Sequence, residues 1–195
     1  MESTSVLGEQ LTSRQFQLRD QLLELFLDEG FAHLTLDDLA GRLECSKRAF
    51  YVLADSKEQL TIRIVRYFFK RATAEVEIAI SRTRTPPARV TRYLEAVALA
   101  LRPAGPQFRR DLSRNALTHE LYEQNTAAAA DRVRELIDEG IGAGAFRNVS
   151  AAFVGEVVTA TMRRITSGEI GQATGLDDAK AYAELARLVL AAVRR

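Results

Sequence analysis

The chain has 195 residues, 47% of them hydrophobic, and 27 Lys and Arg against 26 Asp and Glu leave a net charge of +1. That length and apolar content can bury a sizeable core, whereas the near-neutral balance excludes a protein that coats nucleic acid by charge alone. The single cysteine, Cys45, excludes an internal disulfide, the opening MESTSVLGEQ lacks a basic-then-apolar export pattern, and apolar runs such as Leu188 to Val193 are too short to span a bilayer, so a soluble, cytoplasmic protein is expected.

The first predicted helix runs from about Thr12 to Glu29. Leu18, Leu22, Leu25 and Phe26 make its buried stripe, Gly30 ends it as a C-cap, and Phe31 plugs a small core. A short helix follows from Thr35, whose side chain caps the N-terminus with Asp38 three residues on as the reciprocal carboxylate of a capping box. Asp37 and Asp38 also sit at the positive end of the helix dipole. Leu36, Leu39, Ala40 and Leu43 fall on one helical stripe, which cannot be one face of a strand.

Glu44 marks a tight turn, and a second short helix is expected from Ser46 as N-cap, with Cys45, Ala49, Phe50 and Leu53 turned towards the first. Ser46, Lys47, Arg48, Tyr51 and Val52 are left facing outward. This is helix-turn-helix spacing over 35–54, in which the second helix enters a major groove of about 12 Å and its first residues reach base edges. Lys47 and Arg48 suit guanine edges or phosphates, Tyr51 suits phosphate, and Val52 suits a thymine methyl. Ser56-Lys57-Glu58-Gln59 reads as another capping box, whose helix N-terminus and Lys57 make a phosphate clamp. The bare spacing also fits an ordinary helical hairpin with a solvated face.

Residues from about 17 to 71 resemble the N-terminal DNA-binding domain of the TetR family of bacterial transcriptional regulators, through LLELFLDEGFAHLTLDDLA and SKRAFYVLADSKEQL. Phe26, Gly30, Phe31, Thr35, Ala40, Ser46, Tyr51, Ser56, Lys57 and Glu58 sit in register with that family's pattern. The chain departs from it at Glu44 and Arg48, where glycine is usual, at Cys45, where a small aliphatic is usual, at Val52, where a ring donor is usual, and at Ala54, where an aromatic is usual. The resemblance implies an all-α fold of about nine helices: a helix-turn-helix DNA-binding domain over 1–60, joined by a long helix to a ligand-binding and dimerisation bundle over 61–195. The DNA-binding set is Thr35, Ser46, Lys47, Arg48, Tyr51, Val52 and Lys57.

Residues 1–60 carry six basic against eleven acidic side chains, so affinity for DNA must come from a local cluster of phosphate contacts. A long helix then continues from Lys57 to about Ser81 without a breaker, a mechanical link between the two halves. Beyond Pro86 the pattern predicts helices over Pro87–Leu101, Gln107–Asp111, Ser113–Glu139, Ser150–Ser167 and Asp177–Val193. No period of 20 to 50 residues recurs, which excludes a solenoid. The last two helices are broadly apolar through Val154, Val158, Met162, Ile165, Tyr182, Leu185, Leu188 and Val189. Burial within one subunit would also need such surface, but the resemblance and the need for two heads at paired half-sites point to a four-helix dimer interface through these residues.

Catalytic signals are missing. His119-Glu120-Leu121-Tyr122-Glu123 is half a zinc motif without its second histidine, and Gly140, Gly142 and Gly144 follow no strand, so neither a metal site nor a phosphate loop is expected. An enzyme is not expected, and neither is a resident cofactor. The resemblance implies instead a ligand-responsive repressor, less often an activator, that works as a homodimer on a palindromic double-stranded DNA operator, with a small-molecule effector held in the body. Phe68, Tyr93, Phe108, Asn115, His119, Tyr122 and Met162 are the candidate pocket residues. A helical adaptor that has lost DNA binding and holds protein instead is the alternative.

Overall fold

The computed structural model describes residues 12–194, and the reading of MESTSVLGEQ lies outside them. Ten helices follow in order among the described residues: α1 (Ser13–Glu29), α2 (Leu36–Arg42), α3 (Arg48–Tyr51), α4 (Lys57–Ser81), α5 (Pro86–Leu101), α6 (Pro106–Arg114), α7 (Ala116–Gly142), α8 (Ala151–Thr166), α9 (Glu169–Thr174) and α10 (Asp178–Val193). No strand forms among them; one isolated bridge joins Phe146 to Arg194.

The interior divides into two apolar clusters that share α4. Leu60, Ile64, Val65, Phe68 and Phe69, from its first half, join Leu22, Phe26, Phe31, Leu39, Phe50 and Leu53 in the head. Val76 and Ile80, from its second half, join α5, α7, α8 and α10 in the body. One continuous helix therefore carries side chains into both interiors, so it cannot bend without disturbing both.

The head core is not closed by the N-terminal helices alone. Phe108 and Leu112 of α6 pack into it, and Phe108 meets Phe31 and Phe68 edge-on at centroid distances of 5.8 and 5.4 Å, an arrangement that aligns ring edges with ring faces. Phe108 is fully buried there and does not reach the body cavity as expected of a pocket residue.

Three local differences from the sequence pattern have simple causes. The short helix α9, between Gly168 and Gly175, is too brief to show a period; both glycines take positive φ and bracket it. α7 begins at Ala116 and not at Ser113, because Asn115 breaks the run and its side-chain oxygen accepts the N–H groups of Leu117 and Thr118. Asn115 is thus a helix cap and does not line the body cavity. α3 has no side-chain cap either: the Ser46 carbonyl, and not its hydroxyl, accepts the Ala49 N–H.

Candidate nucleic-acid interface and body cavity

Thr35 sets the start of the helix-turn-helix. Its hydroxyl accepts the Asp38 N–H at 3.2 Å and donates to Asp38 Oδ2 at 2.7 Å, while the Thr35 N–H also reaches Oδ2 at 2.8 Å. These bonds hold the Asp38 carboxyl below its ordinary range. The Thr35 hydroxyl proton is therefore committed inside the protein. Leu39, Phe50 and Leu53 face inward, with Cys45 and Ala49 half-buried beside them; burial pushes the Cys45 thiol up, away from thiolate chemistry.

Between α2 and α3 the chain turns through Glu44, whose φ of 48° lies in the left-handed region. It is the one non-glycine with positive φ among the described residues, so the turn asks for a conformation that this side chain resists.

Outside, Ser46, Lys47, Arg48, Tyr51 and Val52 are all exposed, with Tyr51 at 54% and Val52 at 53%. A ring and an apolar side chain left half in water at the C-terminal end of a short helix have no role in the interior. Lys47 is not idle: its ammonium pairs with Asp37 at 2.7 Å, and that bond raises its pKa. Lys57, at the start of α4, donates its Nζ to the Ala32 carbonyl at 3.2 Å. Ser56 accepts the Gln59 N–H, and the Gln59 side chain answers to Asp55 instead of Ser56, so this cap is a box displaced by one residue.

The body encloses a cavity of about 230 Å³ between α4, α5, α6, α7, α8 and α10. Of the expected pocket residues, Phe68, Tyr93, Tyr122 and Met162 line it. Phe108 and Asn115 have the roles given above. His119 lies on the exposed first turn of α7, stacked on Tyr122 at 6.5 Å, and Glu123 pairs with Arg163 at 2.7 Å instead of with it. Pattern reading missed the polar wall: Glu77 with Arg132, and Arg109 with Asp178, are ion pairs across 55 and 69 residues of sequence. No local spacing announces such pairs. No group of three or more His, Cys, Asp or Glu able to hold a metal occurs among the described residues.

Val158, Met162, Ile165, Tyr182, Leu185 and Val189, expected at a dimer interface, lie in the subunit's own core, and Val154 packs against it half-buried. A stripe reading cannot separate a core from an interface, because both want apolar side chains at the same period. Of that set only Leu188 is exposed, at 68%, and the outward apolar residues of α8 are Phe153, at 69%, and Val157.

A helix-turn-helix head on a helical body with an internal cavity defines the protein as an all-α, two-part helix-turn-helix protein. Residues 18–64 match the pattern of the bacterial regulatory proteins of the tetR family. That segment belongs to the TetR family, and the chain has the fold of its transcriptional regulators. A TetR transcription regulator from Haloarcula marismortui is similar at 17% identity and a TM-score of 0.78, over 95% of this chain and 100% of that one. A transcriptional regulator from Saccharomonospora viridis, solved in complex with choline, is similar at 14% identity and a TM-score of 0.77, over 93% and 98%. SmeT, solved in complex with triclosan, is similar at 16% identity and a TM-score of 0.73, over 94% and 93%. No curated relative of the sequence was found. No helix among the described residues is long and apolar enough to cross a membrane.

Proposed function

We propose that this protein is a sequence-specific DNA-binding transcriptional regulator, a repressor released by a small effector, acting in the cytoplasm as a homodimer on a palindromic operator. The observation that carries the reading is the α3 face: Ser46, Lys47, Arg48, Tyr51 and Val52 stand exposed within a segment that matches the tetR family. Arg48 and Val52 read base edges; Tyr51 and Lys57 hold phosphate, and Lys47 joins them when it leaves Asp37.

Two heads are needed to span paired half-sites. Phe153 and Val157 on α8 and Leu188 on α10, all exposed, support pairing through these two helices, since apolar side chains left in water are unfavourable. The cavity supports an effector lobe, as do the choline and triclosan complexes of similarly folded regulators. Release requires the effector to bind more tightly to a conformation whose heads no longer fit both half-sites. The family supports a binding protein and not an enzyme.

The test is a gel-shift titration and DNA-protection assay on the region upstream of the protein's own gene, repeated at stepped salt. Protection of a two-fold symmetric site with steep salt dependence is the expected result. Absence of any salt-sensitive binding overturns the reading and leaves the protein-binding adaptor.

A further inference from the structure

Buried polar groups in native proteins almost always find partners. Among the described residues two buried side-chain atoms find none, Arg163 Nε and Tyr182 Oη, and both residues line the body cavity. Tyr182 is only 2% exposed. Thr166 is its polar neighbour, yet no hydrogen bond of acceptable geometry forms. Glu123 holds the Arg163 guanidinium at Nη2, at 2.7 Å, which leaves Nε without an acceptor.

The charged groups of the wall are otherwise paired. Arg109 donates to the carbonyls of Ala104 and Thr166 and to Asp178, and Arg132 donates to Glu77 and Glu135. Each carboxylate on the wall therefore already has an arginine, so a cationic ligand meets no free anion. The two unmatched groups are an N–H that can only donate and a neutral phenol with a proton to donate. Charges of both signs face this end: Glu123 and Arg163 act on the Tyr122 hydroxyl, and Asp178 and Arg109 act on that of Tyr182, so the two pairs leave no net charge there. Phe69, Val97 and Leu101 are among the apolar residues that line the same cavity.

We infer that the cavity takes a small aryl or branched alkyl carboxylate, whose two oxygens accept from Tyr182 Oη and Arg163 Nε while its apolar body fills the space between α4 and α5. A cavity near 150 Å³ holds benzene, so 230 Å³ suits a molecule of roughly nine to twelve non-hydrogen atoms. The inference rests on the reading of the body as an effector lobe and names the effector's chemistry.

The test is calorimetric titration of the full chain with 4-ethylbenzoate and cinnamate, with their amides, and with 4-ethyltoluene and 4-ethylbenzylamine. The acids are expected to bind about tenfold tighter than their amides, and the amine to show no binding, because charged acceptors strengthen both hydrogen bonds. Tyr182→Phe is expected to remove most of that preference while leaving the affinity for 4-ethyltoluene and the melting temperature near wild type. Acids that bind no better than their amides, no binding by either acid, or an acid preference untouched in Tyr182→Phe overturns it. The effector reading is read separately from operator DNA in a gel shift. Acids that bind through Tyr182 without releasing DNA leave the carboxylate site standing and remove the effector role; DNA release by 4-ethyltoluene or the amine, with no preference for acids, does the reverse.

Discussion

The carboxylate of Asp111 in α6 accepts the backbone N–H of Phe31 at 2.7 Å, across 80 residues of sequence, and the same oxygen accepts the Ala32 N–H at 2.9 Å. Its other oxygen takes the Gln107 amide at 2.7 Å. The corner between α1 and α2 is thus held by a buried side chain from the middle of the chain, while Arg109, two residues before Asp111, faces the cavity. Asp111→Ala leaves two backbone donors without partners and is expected to cost about 2–4 kcal/mol in urea unfolding. Asp111→Asn is expected to cost much less, since one amide oxygen keeps both N–H groups. Equal losses in the two variants would mean that the negative charge, and not the acceptor, holds the corner.

The same corner explains why Gly30 resists substitution. A Cβ there would lie 2.5 Å from Gln107 Cγ and 2.6 Å from Asp111 Oδ2, at a φ of 82°. Gly30→Ala combines that overlap with left-handed strain and is expected to destabilise by about 2 kcal/mol or more, read as a lower urea midpoint at unchanged slope. A midpoint within error of wild type would show that α6 can move away from the head at little cost.

On the proposed reading Lys47 meets DNA only by leaving Asp37. Asp37 holds it at 2.7 Å on the exposed face, and the same carboxylate repels phosphate. Asp37→Asn is expected to tighten operator binding several-fold at low salt, an effect that fades at high salt. The loss of a favourable first-turn charge on α2 weakens the helix by only about 0.5 kcal/mol. Weaker binding by Asp37→Asn in the same titration would show that the pair orients Lys47 for the groove instead of withholding it.

Arg48, Tyr51 and Lys57 divide by role on the proposed reading. Arg48→Ala is expected to relax preference at one or two base pairs, whereas Tyr51→Ala and Lys57→Ala weaken binding to all sequences alike, in a comparison across single-base operator variants. Lys57→Ala also frees the Ala32 carbonyl, which is exposed and returns to water at little cost. Uniform losses for Arg48→Ala would remove it from base reading.

The helix-turn-helix was legible because everything that builds it is local. Thr35 and Asp38 cap one helix three residues apart, and Leu39, Phe50 and Leu53 lie within twenty residues. The strain at Glu44 was legible too, as a non-glycine residue at a turn where the family pattern has glycine. Phe108 was not, because its place in the head depends on where α6 lands, and nothing within α6 encodes that. Tyr182 shows the same limit from the other side: its stripe announced an apolar surface, but only the packing of α10 against α5 and α8 turned it into a cavity wall. Asn115 illustrates a third cause, since a polar residue between two helical runs looks the same in sequence whether it caps a helix or binds a ligand.

Ionisation of Tyr182 sets an alkaline limit on stability. Burial pushes its phenol from 10.0 up to about 12, and burial moves Tyr93 in the same direction and further. Between those two values an unfolded tyrosine has lost its proton and the folded one keeps it. The native state then binds more protons, so stability falls as pH rises. The contribution is complete below the unfolded value and is lost progressively as pH climbs towards the folded one. Tyr182→Phe removes it, and also removes a buried hydroxyl that has no partner, so the variant is expected to match or exceed wild type at neutral pH. Its advantage should widen by on the order of 2 kcal/mol at the top of the window, with the remaining decline due to Tyr93, Tyr122, Tyr67 and Lys47, which the fold also holds in their protonated forms. Urea unfolding of both proteins at steps across the window measures this difference directly. Parallel declines in the two proteins would show that water reaches the Tyr182 hydroxyl, and the polar end of the cavity would then be wet.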